Sequence, residues 1–93
     1  MSDFTFLDGM LDRFCQKLGE YLKKEGITKT IEEFKKEIKY REPNFEHIES
    51  YNQADMLVFY IGEIVTVVLK YVSDEKGSSF EKEREKFLTI YLK

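Results

Sequence analysis

The chain has 93 residues, a formal net charge of −3, and 42% hydrophobic and 15% aromatic residues. That composition belongs to a folded globular chain rather than a disordered one. The length allows one domain, residues 1–93, with a single two-layer core and no room for a large catalytic cleft. One cysteine, Cys15, excludes an intramolecular disulfide, and a lone thiol on an apolar helix face suits a reducing compartment. The opening residues, MSDFTFLDGM, place no basic stretch ahead of an apolar one, so the expected location is the cytoplasm.

The negative charge is unevenly placed. Glu42, Glu46, Glu49, Asp55 and Glu63 fall in a stretch, residues 42–63, that contains no Lys or Arg, while the flanking segments are close to balance. Nucleic-acid binding leaves a basic patch, so direct nucleic-acid contact is not expected. An acidic block suits a basic protein partner, or serves only as a solvated edge that keeps the domain soluble.

In chain order, residues 4–25 read as an amphipathic helix. Phe4, Leu7, Met10, Leu11, Phe14, Leu18, Tyr21 and Leu22 recur at spacings of three and four, with Cys15 at the border and Asp8, Asp12, Arg13, Gln16, Lys17 and Glu20 opposite. Gly26 followed by Ile27 reads as a left-handed cap with its apolar neighbour. Thr30 and Glu33 match a capping box, predicting a short helix over 31–38; a strand over 36–41, ahead of Pro43, is the alternative. Phe45 to Asn52 reads as an edge strand, and Gln53-Ala54-Asp55 as a turn.

The apolar run from Met56 to Val72, MLVFYIGEIVTVVLKYV, carries Glu63 at its centre and Lys70 near its end, which argues against a membrane span. Its β-branched and aromatic residues predict two strands, 56–61 and 64–72, joined at Gly62-Glu63 by a two-residue turn that needs a positive φ at the glycine. Ser73 to Gly77 would close the sheet as a polar loop. Ser78 with Glu81 reads as a second capping box, opening a helix over 79–92. Phe80, Phe87, Leu88, Tyr91 and Leu92 form its stripe, with Glu81, Glu83 and Glu85 on the solvated side. The predicted fold is α+β: an N-terminal amphipathic helix, a three-stranded antiparallel meander, and a C-terminal helix packed on one face of the sheet.

Reactive chemistry is sparse. His47, between Glu46 and Glu49, is the only histidine; a carboxylate–imidazole pair there has no nucleophile at a recognisable turn to work with. Cys15 sits on another element and no paired Cys or His spacing exists, so neither a metal site nor a cofactor site is expected. The glycines form no phosphate-binding loop; Gly9 and Gly19 lie inside the first helix. Tyr40, Tyr51 and Tyr60 lie within or beside the acidic block, where tyrosine offers contact area with a polar tip; edging the core is the equal alternative.

The stretch ADMLVFYIGEIVTVVLKYVSDEKGSSFEKEREKFL, preceded by the helix FLDGMLDRFCQKLGEYLKKEG, resembles the small bacterial immunity proteins called TriTu, which are found beside polymorphic toxins. The resemblance implies a protein that neutralises a cognate toxin domain by stoichiometric binding, often over its active site; with the acidic block and the sparse reactive chemistry, the expectation is a cytoplasmic non-enzyme that occludes a toxin nuclease. Charge layout places the partner-binding surface on Glu42, Glu46, Glu49, Tyr51, Asp55 and Glu63. A phage- or plasmid-encoded inhibitor of a host defence complex asks for the same surface, and a structural homodimerising module is the third alternative.

Overall fold

Spacing of the buried residues decides the architecture. A computed structural model describes residues 4–43 and 52–93, and these form four helices: α1 (Phe4–Lys24), α2 (Ile31–Lys35), α3 (Asn52–Lys76) and α4 (Phe80–Tyr91). Among the described residues there is no strand. The predicted α+β fold with an antiparallel meander is therefore replaced by an all-helical bundle in which α1, α3 and α4 pack on one another and α2 lies against α1 and α3.

The correction centres on α3. The predicted strands 56–61 and 64–72, the turn at 53–55 and most of the loop at 73–77 are one continuous helix. Leu57, Tyr60, Ile64, Val68 and Val72 are all buried, and their spacing of three and four is the helical period rather than the alternation of a pleat. Gly62 stands inside this helix; positive φ occurs instead at Gly26 (77°) and Gly77 (66°). β-propensity is a weak preference that burial overrides, and a largely apolar run longer than an ordinary strand is better accommodated by a buried helix. By length and composition Ala54–Lys76 could cross a membrane, yet Ile64, Val68, Leu69 and Val72 are wholly enclosed by the bundle. The predicted edge strand, Phe45 to Asn52, lies outside the described residues except for Asn52, which opens α3.

The helix ends follow the local signals. At the end of α1, the Ile27 N–H donates to the Leu22 carbonyl (2.9 Å) and Gly26 N–H to that of Lys23 (3.1 Å), the double cap expected of Gly-Ile. Gly77 ends α3 in the same manner, with Ser78 N–H donating to Ser73 O at 2.9 Å. The Thr30–Glu33 capping box forms in both directions, although α2 stops at Lys35 rather than 38, and residues 36–41 are not a strand. α4 is capped by Ser79, one residue later than predicted; its predecessor Ser78 has another task.

The core joins Phe14, Leu18, Tyr21 and Leu22 of α1, Phe34 of α2, Ile64, Val68, Leu69 and Val72 of α3, and Phe87 of α4. Edge-on ring contacts fix the angles: Phe14–Phe87 at 5.6 Å, Tyr21–Phe87 at 5.9 Å and Phe34–Tyr71 at 5.2 Å between centroids. Each such pair adds about 1 kcal/mol beyond burial alone. Lys29 lies over both the Phe34 and Tyr71 rings, holding the short α2 connector against α3. A smaller cluster, Leu11, Leu57 and Tyr60, extends the core towards the start of α3.

Candidate interaction surface

Among the described residues, three groupings of carboxylates with tyrosines differ in what surrounds them. In the first, Glu83 of α4 is 0% exposed. It accepts hydrogen bonds from the Tyr21 hydroxyl (2.7 Å), from the Ser78 hydroxyl, and from Lys86 Nζ (3.4 Å). Lys86 also reaches Glu25, which Lys76 bonds at 2.8 Å. Burial alone would raise the Glu83 pKa; the hydrogen bonds from Ser78, Tyr21 and Lys86 outweigh it and hold the carboxyl below its ordinary value. The Tyr21 phenol is pushed far up by burial and by that carboxylate. All of its partners are within the chain, so this is a structural knot tying α1, α3 and α4. The expectation that Glu83 faces solvent is overturned.

In the second, Glu42 pairs with Lys35 (3.2 Å) and accepts from the Tyr60 hydroxyl (3.3 Å). Tyr60 is buried, and burial followed by the opposing charges of Lys35 and Glu42 leaves its phenol pushed up to about 12. Burial would lower the Lys35 pKa, but the bond to Glu42 reverses that and the ammonium stays charged. Cys15 sits beside this group, half-buried, its thiol raised chiefly by burial, so it is a poor nucleophile. Glu42, expected to bind a partner, is thus occupied in holding the α2 connector to α3, and Tyr60 belongs to the core.

The third grouping faces outward. Val58 and Phe59 are 66% and 58% exposed, and Met56 and Tyr40 are also exposed. The Tyr40 ring stacks on Phe59, with centroids 5.8 Å apart and planes at 25°. Tyr40, Val58, Phe59, Gly62, Glu63 and Thr66 line an open concavity of about 410 Å³. Asp55, in the first turn of α3, is exposed one turn before Phe59. Thr66 is turned back onto its own helix, donating to the Gly62 carbonyl at 2.8 Å.

Of the residues expected to bind a partner, Asp55 and Glu63 therefore share the outer side of α3, and Glu42, still half-exposed, is paired with Lys35 and Tyr60. Glu46, Glu49 and Tyr51 lie outside the described residues, as does His47. Val58, Phe59 and Gly62 were not anticipated; a helical projection of the same run places them opposite the buried Leu57–Ile64–Val68 stripe. Among the described residues, no group of His, Cys, Asp or Glu is arranged to hold a metal ion. Comparison with family models, with curated proteins and with solved structures gave no match.

Proposed function

We propose that this chain is a non-catalytic inhibitor acting in the cytoplasm, which binds a basic protein, such as a toxin nuclease, and neutralises it by covering its working surface. The strand-turn-strand pattern within the sequence resemblance is one helix here, so the weight of the proposal rests on the surface. The carrying observation is the outward face of α3. Large apolar side chains, Val58 and Phe59, stand exposed beside Tyr40, with Met56, Asp55 and Glu63 on the same helix, which has no Lys or Arg before Lys70.

An aromatic centre with charged surroundings is the usual composition of an interface hot spot. Acidic groups beside it favour a basic partner and speed the encounter. The test is site-specific photo-crosslinking in the cells that make the protein, with a benzophenone amino acid replacing Phe59 and, as control, Glu85 on the exposed side of α4. A discrete crosslinked product at 59 and not at 85 supports the reading, and co-expression of the partner so identified with and without this chain then measures neutralisation. Equal crosslinking at both positions, a product containing only a second copy of this chain, or a partner whose activity is unchanged would refute it.

A further inference from the structure

The concavity on α3 has a floor as well as walls, and the floor is a glycine. Gly62 lies in the middle of a helix, where glycine is destabilising relative to alanine. Nothing within the fold requires it there: its φ is not positive, and a Cβ built on it would meet no atom within 4 Å. Gly62 sits between an aromatic wall and a carboxylate. On one side stand Phe59 and the Tyr40 ring stacked on it; on the other is Glu63, one turn beyond Phe59. The two bases next to Tyr40 in sequence, Lys39 and Arg41, line none of it.

We infer that this notch receives a lysine or arginine side chain of the partner, an inference that rests on the proposed binding role of the face. Each wall supplies what such a side chain needs. Aromatic faces attract a cation through their quadrupole and cover the aliphatic stem; the carboxylate accepts its charged N–H groups. A side chain at position 62 would fill the space through which the incoming stem approaches the helix backbone. An uncharged aliphatic residue of the same length gains the apolar contact but leaves Glu63 without a counter-ion. The chemistry therefore selects for cations.

The experiment is an NMR titration of the ¹⁵N-labelled full chain with acetyl-arginine methylamide, and separately with the norleucine analogue. The arginine probe is expected to shift the amides of Gly62, Glu63 and Thr66 in a saturable manner that weakens with added salt, and the norleucine probe to shift them far less. Glu63→Gln should weaken arginine binding roughly tenfold, as loss of one charge-assisted contact would. Gly62→Ala should weaken it while leaving the protein folded and more resistant to denaturant, which separates a binding effect from an unfolding effect. Equal responses to both probes, no localised response, or an unaltered Glu63→Gln titration would overturn the notch. If the notch fails while Phe59 still crosslinks to a basic partner, the inhibitor reading stands without it. If arginine binds while crosslinking yields no partner, the reverse holds.

Discussion

Glu83 and Glu63 are both glutamates close to a tyrosine, one on α4 and one on α3, yet the chain treats them in opposite ways. Around Glu83, donors from α1, the α3–α4 connector and α4 converge, water is excluded, and the carboxylate is held ionised. Beside Glu63 the rings of Tyr40 and Phe59 remain open to solvent. A residue type therefore says little about role. The number of partners within the chain separates a group that holds the fold from one available to something outside it.

That contrast is breakable. The largest expected effect is at Glu83→Ala, which strands the buried Tyr21 hydroxyl and removes one of the two carboxylates paired with Lys86. It should cost about 3 kcal/mol, read as a lower urea midpoint by far-ultraviolet circular dichroism. A loss below about 0.5 kcal/mol, the range of an ordinary surface substitution, would show that the knot is not structural. Tyr21→Phe should cost about 1 kcal/mol, because it deletes one of several donors to that carboxylate.

Acid should act on the same region. Glu83 and Glu25 both titrate below the ordinary carboxylate range when folded; for Glu25 the bond from Lys76 is the main cause. Their contribution is complete above the unfolded value, near about 4.3, and is lost as pH falls through the folded values. Denaturation midpoints should hold steady between neutrality and about pH 5 and decline below that. In Glu83→Gln the decline should be shallower. An unchanged acid profile in that variant would assign the pH dependence elsewhere.

The smaller effects belong to the outer face and include one of opposite sign. Gly62→Ala should stabilise the protein by about 0.5–1 kcal/mol, the propensity gain of an exposed helix interior. Had Gly62 occupied a hairpin turn, any side chain there would have been destabilising, so this substitution measures helix against strand directly. Phe59→Ser should change stability by less than about 0.5 kcal/mol, while abolishing partner capture at that face. A loss of several kcal/mol would place Phe59 in the core instead.

Several signals confined to a few neighbouring residues are readable, although the second capping box is offset by one, at Ser79 rather than Ser78. The Gly26-Ile27 cap, the Thr30–Glu33 box and the stripe through Leu11, Phe14, Leu18 and Tyr21 all form as their spacing implies. α3 was misread because valines, isoleucines and a central glycine imitate a hairpin, and because its enclosed half is apolar nearly all round, which erases periodicity. Glu83 was placed in solvent for a different reason. Its alternating neighbours, Glu81 to Lys86, look like a solvated face, and the residue that contradicts this, Tyr21, is 62 positions away. Of the expected binding residues, Asp55 and Glu63 owe their place to charge segregation alone. Val58 and Phe59 escaped because a strand would have turned them to opposite sides.

The vacancy over Gly62 has one further consequence, for how this protein can change over generations. A helix position where an added Cβ would touch no neighbour accepts alanine without disturbing the fold. Replacing glycine by alanine there improves helix propensity, so that first step meets no folding penalty. Binding preference could then be reset one substitution at a time, with the Glu83 knot keeping the scaffold fixed. The position most open to change then lies in the middle of the longest described helix.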